Sequence, residues 1–567
     1  MTNDGQMVIT KAHPEHVFLS STASRMKLCL DRGVYATSFA VLVFCLRPAL
    51  MFKCPEEINR VCTCFTRNVY VSGVREERHY VDCSSRGLFS LPFFDFPEEM
   101  KLYSVNIRNN SVTALSLSNF RNSIHISRID VSRNPLGSYL ESDLFSTKIK
   151  SIETFIGRDI GLNLQNVTSL EFIRNSNSLK ELDLSGNMEY GVDMLPALFQ
   201  DNNIHSLVTL SLALCRIRRI NPHAFIGLVH LQDIDLSQNF LKKVPKALQR
   251  LTLLRRLNLS ENDIAAISYG DFIELHCLQE LDLSKNLLGQ LDAFRPGAFY
   301  GLEDSLTSLR LHDSFLTSPP TDVLSGLKKL EHLDISLNGI TEITNFSFIG
   351  NYGLASLDIS ENPLIIHVKM FDSVRRTLRV LRMRKTGLNY IPYLGQLHML
   401  EELDLSFNSI TSIDSYSLKG VSARRLLFSG NRIQTIDSMA FSQYHLPVHL
   451  DVSYNELVSL NFVLDSPKCT FYEVNVSSNG FLCDCQIEKL INSRLTHRLV
   501  GDCMLRTGEK IPFNNATLVT ELVRQCGRTH SSYCFWWVKN SAESWRSHGY
   551  NIMSFVLLML IIDLYKV

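Results

Sequence analysis

Residues 278–291 read LQELDLSKNLLGQL, and no single secondary-structure period fits them. The leucines fall at Leu278, Leu281, Leu283, Leu287, Leu288 and Leu291, with Asn286 set among them. A helix repeats its apolar residues about every 3.6 positions and a half-buried strand every 2. Leu281 and Leu283 alternate around Asp282 as on a short strand, and the pattern then breaks at Asn286. A chain that leaves a sheet through a buried turn must still pair its backbone groups. An asparagine amide carries the donors and the acceptor for that task.

The stretch recurs. Copies read LKELDLSGN at 179–187, LQDIDLSQN at 231–239, LRRLNLSEN at 254–262, LEHLDISLN at 330–338, LASLDISEN at 354–362 and LEELDLSFN at 400–408. Degenerate copies occupy 102–110, 126–134, 207–215, 306–314, 378–386, 423–431, 447–455 and 471–479, with a weak one near 149–157. The step is mostly 22–24 residues, with 28 at Cys215 and Ser314, and the array holds about sixteen repeats. This is the pattern L-x-x-L-x-L-x-x-N/C-x-L of leucine-rich repeats. The expected fold is an α/β solenoid, a horseshoe with a concave parallel β-sheet and an asparagine ladder along its length. Phe225, Phe272, Phe299, Phe348 and Phe441 recur in the second half of repeats and are expected to stack beneath the convex side.

The rest of the chain frames this array. Lys plus Arg and Asp plus Glu both number 57, so no net field draws nucleic acid or anionic lipid to the molecule as a whole. Nine of the fourteen cysteines lie in two clusters, Cys54 to Cys83 and Cys483 to Cys534, as expected of disulfide-stapled ends in an oxidising compartment. Val34 to Leu46 is apolar or small and follows Lys27 and Arg32, which suits a signal-peptide core. It lies far from Met1, and Met26 makes a nearer start. The division expected is 1–50 extension and signal peptide, 54–97 N-terminal cap, 98–480 repeats, 481–527 C-terminal cap, 528–550 juxtamembrane segment and 551–567 anchor. In that last segment the apolar run Ile552 to Ile562 is eleven residues long. A spanning helix needs about 20. A truncated helix, a short tilted anchor and a glycolipid-anchor signal following Asn540, Ser541 and Ala542 all remain open.

Residues between the strand leucines should face the concave surface. Arg255, Arg256, Arg310, Arg382, Lys385, Arg424 and Arg425 are the candidate ligand-binding residues there. Neighbouring strands place opposite charges beside several of them: Asp233 and Glu280 beside Arg256, Asp358 and Asp404 beside Arg382, and Glu402 beside Arg425. Cross-strand neutralisation is therefore expected, and a polyanion groove would instead need unopposed cations with interleaved aromatics. Glycosylation sequons stand at Asn109, Asn166, Asn258, Asn345, Asn475 and Asn515. Catalytic signatures are not found, and the two C-x-C pairs lack the two to four intervening residues usual for zinc, so neither cofactor nor metal is expected.

Cys54-Pro55, Cys62-Thr63-Cys64, Cys83 and LFSLP at 88–92 resemble the N-terminal cap of extracellular leucine-rich repeat proteins. NGFLCDCQIEKL at 479–490, with Cys503 and Cys526, resembles the C-terminal cap, although Gly480 stands where proline is usual and no tryptophan follows Cys485. With both caps and an array of this length, 54–527 resembles the ectodomain of a Toll-like receptor. The resemblance implies the bridges Cys54–Cys64, Cys62–Cys83, Cys483–Cys503 and Cys485–Cys526; Cys277, outside both clusters, is expected to stay reduced. It also implies recognition of a microbial or endogenous protein, lipid or glycan on the concave face or flank, and dimerisation on binding. Attachment to the membrane is expected through the C-terminal segment, and nucleic acid is not an expected partner. The family signals through a cytoplasmic Toll/interleukin-1 receptor domain, which does not follow before Val567, and the expected function is a receptor of this type, or a truncated or decoy version of one. The alternative is an adhesion or matrix-binding protein.

Overall fold

Each repeat contributes a strand of three to seven residues, and these strands stack in register along one sheet. The computed structural model describes residues 54–522, apart from 72–73, 97–99, 121–123, 138, 201, 368, 445–446, 467–469, 493–498, 506, 516, 519 and 521. Residues 1–53 and 523–567, including the signal-peptide and anchor segments, lie outside the described residues. Among the described residues no helix is long and apolar enough to cross a membrane.

The sheet has twenty strands among the described residues. Setting aside the N-terminal hairpin, the two-residue strand Ile149–Lys150 and the closing strand Leu499–Val500 leaves sixteen, one per repeat, from Lys101–Asn106 to Phe471–Asn475. All of these pair in parallel, and the central leucine of each strand aligns with the next: Leu257 with Leu281, Leu281 with Leu309, Leu309 with Leu333. The weak copy sits three residues further on than expected. Phe155 aligns with Leu182, so the copy runs 152–160, with Phe155 and Ile160 fully buried. Isoleucine in the asparagine place hid its register.

The break at Asn286 has a local cause. Lys285 is left-handed (φ 54°), which turns the chain out of the sheet, and Asn286 follows with no exposed surface. Its Oδ1 accepts from Ile264 N (3.0 Å), and its Nδ2 donates to Leu259 O and Leu283 O (both 2.9 Å). The same bonds recur at Asn239, Asn262, Asn338, Asn362, Asn408, Asn431, Asn455 and Asn479. Of the four repeats that lack the amide, the one at Ile160 has no side-chain donor there, and the other three use another short donor. Cys215 Sγ reaches Leu184 O (3.3 Å), Ser314 Oγ reaches His312 O (3.1 Å), and Thr386 Oγ1 reaches Met383 O (3.0 Å). Burial pushes the Cys215 thiol up to about 12, so it stays protonated and able to donate.

On the other side of the core the phenylalanines form the expected spine. Phe225, Phe272, Phe299, Phe348 and Phe441 are all at most 3% exposed, and Phe272 stacks on Phe299 with centroids 6.2 Å apart. The convex chain is mostly turns and short 3-10 segments, such as Lys246–Arg250 and Ser438–Phe441. Gly350 lets two such turns meet: its φ is +90°, and a Cβ there would lie 2.2 Å from Ser325 O.

Both ends of the described solenoid are covered. The antiparallel hairpin of Thr63–Val71 and Val74–Asp82 is held by Cys54–Cys64 and Cys62–Cys83, and its second strand starts the parallel ladder against Lys101–Asn106. At the other end the helix Cys485–Asn492 packs Ile487 and Leu490 inward, and the bridge Cys483–Cys503 ties its start to the hairpin of Asp502–Met504 and Lys510–Pro512. Cys485 is also disulfide-bonded, while Cys526 lies outside the described residues. Cys277 is free and exposed.

Candidate ligand-binding face

In LQELDLSKN the side chains of Leu281 and Leu283 enter the core, so Glu280 and Asp282 face the concave surface. Repetition turns these two positions into two columns of side chains running along the horseshoe. They floor two shallow basins. One, of about 350 Å³, is lined by Arg158, Glu181, Asp183, Asp233, Glu280 and Arg310 among others. The next, of about 510 Å³, runs from Glu280 past Asp334 and Asp358 to Arg382.

Many carboxylates of the outer column have a backbone task. Asp282 Oδ1 accepts from Ser284 N (2.9 Å), and Asp183, Asp235, Asp334, Asp358, Asp404 and Asp451 each accept from the serine N–H two residues on. D-x-S thus closes the strand, and this role was readable from the recurrent serine but was not drawn from the sequence. Asn258 and Asn475 do the same toward Ser260 and Ser477. Their sequons are therefore also this structural motif, with asparagine in the aspartate place. Asn166 and Asn515 similarly cap Thr168 and Thr517, whereas Asn109 is exposed and its amide donates to Ser85 Oγ (2.9 Å). Asn345 is exposed.

The candidate cations do not form one group. Arg256, Arg310, Arg382 and Arg425 lie on strands of the sheet. Arg255 and Arg424 stand one residue before those strands, where their backbone still joins the ladder, and Lys385 lies in the left-handed turn beyond one. Arg256 pairs with Asp233 (2.6 Å), Arg310 stands 3.9 Å from Asp282, Arg425 stands 3.6 Å from Glu402, and Lys385 holds Glu361 (2.8 Å). Arg382 departs from expectation. It reaches Glu402 (2.7 Å) diagonally, while Asp404, directly opposite, is approached by Arg384 (3.7 Å). Asp404 already caps Ser406, and the diagonal partner leaves that bond intact. Arg158, which grips Asp183 at 2.5 Å, was missed because its repeat was read in the wrong register.

Asp334 and Asp358 are paired across adjacent strands. Burial first, and then the charge of Asp334, hold the Asp358 carboxyl above the usual carboxylate range. Among the described residues no group of three His, Cys, Asp or Glu side chains is arranged to hold a metal. The face is a broad polar surface suited to binding.

Leucine-rich repeat family models match 205–264, 245–288, 304–364 and 396–413. The chain is 27% identical to mouse podocan over 383 residues, covering 64% of this chain and 58% of podocan. It is 29% identical to bovine Toll-like receptor 3 over 278 residues, covering 46% of this chain and 29% of that protein. The chain thus spans less than two thirds of the length of these relatives. Among solved structures, the mouse RP105/MD-1 complex aligns with a TM-score of 0.56 at 18% identity, covering 78% of this chain and 77% of that one. A Toll–Spatzle complex aligns with a TM-score of 0.52 at 14% identity, covering 82% and 76%. These likenesses establish the leucine-rich repeat fold.

Proposed function

We propose that this leucine-rich repeat protein is an extracellular, membrane-attached receptor of the Toll-like type, which binds a microbial or endogenous ligand in innate immunity and dimerises on it. The observation that carries the reading is a long solenoid with disulfide-bonded caps at both ends and an open polar concave face. Reducing compartments do not sustain such bridges, and the uncapped ends of a solenoid would expose core. The similarity to Toll-like receptor 3, and the fold shared with RP105 and Toll, support the receptor class. RP105 and Toll are themselves seen in complexes, with MD-1 and Spatzle.

A second reading, a matrix-binding protein, is favoured by the alignment to podocan, which extends over more of this chain than that to Toll-like receptor 3. Surface cross-linking separates the two. Cells displaying the full chain should yield a cross-linked dimer when microbial extracts are added, and should not gain adhesion to matrix-coated plates. Adhesion without ligand-dependent dimerisation would support the matrix protein instead.

A further inference from the structure

The N-terminal hairpin carries a second polar surface, chemically unlike the carboxylate-rich basins. On its concave side Phe65 pairs with Tyr80, and Arg67 lies directly opposite Arg78. Like charges opposite one another on a sheet are unfavourable, and Glu76 neutralises only Arg78. The aromatic rings hold both guanidinium groups in place. Phe65 and Tyr80 stack with centroids 5.0 Å apart, and Arg67 lies over both rings at 5.0 and 5.5 Å. Arg78 lies 4.3 Å over Tyr103, which meets Tyr80 edge-on.

Two further strands extend the basic surface. Lys101, exposed, precedes Leu102, whose partner is His79, and Arg128 pairs with Ser104. Glu76 binds Arg78 (3.2 Å) and Glu181 stands 3.8 Å from Arg128. Arg67 and Lys101 make no ion pair among the described residues. The four cations thus cross four adjacent strands, a width of about 14 Å at the usual strand spacing.

We propose that this face of the N-terminal cap, centred on Arg67, binds a sulfated polysaccharide. The geometry favours that class over others. Each of the three rings already has a guanidinium over it, and Phe65 and Tyr80 also stack on each other, which leaves less ring surface for a nucleic-acid base to stack on. The same contacts reduce the apolar surface that a protein partner would bury. What remains is the ring-mounted guanidinium of Arg67, whose fork matches the paired oxygens of a sulfate or carboxylate, whereas that of Arg78 is held by Glu76. The proposal rests on the extracellular reading above, because such polymers occur outside cells.

The test uses the full chain from animal cells, applied at physiological salt to immobilised heparin-type polysaccharide. Wild-type protein should be retained. The double variant Arg67→Ser/Lys101→Ser should bind at least about tenfold more weakly, since every lost phosphate-like or sulfate-like contact also weakens the counterion-release term. Arg67→Lys, which keeps the charge and loses the fork, should fall between them. Lys328→Ser/Lys329→Ser, which removes two exposed lysines elsewhere, should bind as wild type. Non-reducing mapping of Cys54–Cys64 in each variant confirms that the cap is folded. Failure of wild type to bind, equal binding by the Arg67/Lys101 variant, or equally strong competition by a single-stranded oligonucleotide would each overturn the proposal. N-glycan analysis at Asn345 on the same material reads the extracellular assignment separately. A glycosylated protein that does not bind overturns only the polysaccharide site.

Discussion

At Asn286 one buried amide holds three stretches of backbone, and its removal is the sharpest single test of the ladder. Asn286→Ala would leave Ile264 N without its partner in a site with no exposed surface, and would remove one of the two amide donors to Leu259 O, which keeps Asn262 Nδ2. Each orphaned buried group costs about 1–3 kcal/mol. Thermal melting should show a clear loss for alanine and a smaller one for Asn286→Ser, because Ser314 already serves in this place through a hydroxyl. Equal melting of wild type and the alanine variant would remove the ladder from the account. Arg382 presents the opposite case. Its pairing with Glu402 is partly exposed, so Arg382→Ala should cost no more than about 1 kcal/mol. If Arg382 and Arg425 grip an anionic ligand, the double alanine variant should lose binding while melting normally. Asp358 gives a pH signature. Its folded pKa lies above its ordinary value of 3.8, so its contribution favours folding at low pH and is lost as pH rises through the folded value. Asp358→Asn keeps the oxygen that accepts from Ser360, as asparagine already does at Asn258 and Asn475. The variant should therefore melt higher than wild type at pH 7, with the gain shrinking toward pH 4. A loss of stability at pH 7 would contradict this.

At the scale of the element, the repeat was legible because its three parts obey separate rules: period two in the strand, a buried amide at the turn, and a phenylalanine at the convex side. Cys215 also read correctly as a ladder residue. The copy at 152–160 was misplaced because Ile160 stands where the amide should mark the turn, and the displaced register concealed Arg158. The concave site was less legible. Arg382 and Asp404 are neighbours by register, but the choice between opposite and diagonal partners depends on which carboxylate is already bonded, and D-x-S decides that locally. The aromatic and guanidinium stacking on the N-terminal hairpin was not legible either, since Phe65, Arg67, Arg78 and Tyr80 meet only through strand pairing. The caps carry their own prediction. Replacing Cys483 and Cys503 by serine should cost about 2–5 kcal/mol and admit protease near the helix Cys485–Asn492 before the central repeats are cut. Cleavage beginning in the central repeats would show that the bridge does not protect that end.

At the scale of the whole molecule, the stacked strands set a surface much longer than any one site, and its chemistry changes along its length. Carboxylates dominate the basins between Glu181 and Asp358, while the N-terminal cap presents guanidinium groups mounted on rings. A solenoid built this way can hold different ligands at different repeats without changing its core, because each repeat buries its own leucines and leaves two side chains free. Sequons on the concave strands, at Asn258 and Asn475, would place glycans on that surface, whereas Asn345 is exposed in a turn outside the strands. All of this presupposes that the solenoid matures outside the cytosol. Non-reducing peptide mapping with glycan analysis, on protein made by animal cells, tests that claim most directly. The account predicts intact Cys54–Cys64, Cys62–Cys83 and Cys483–Cys503 bridges, a reduced Cys215 and an N-glycan on Asn345. Recovery of the folded chain with these six cysteines reduced and Asn345 bare would contradict it.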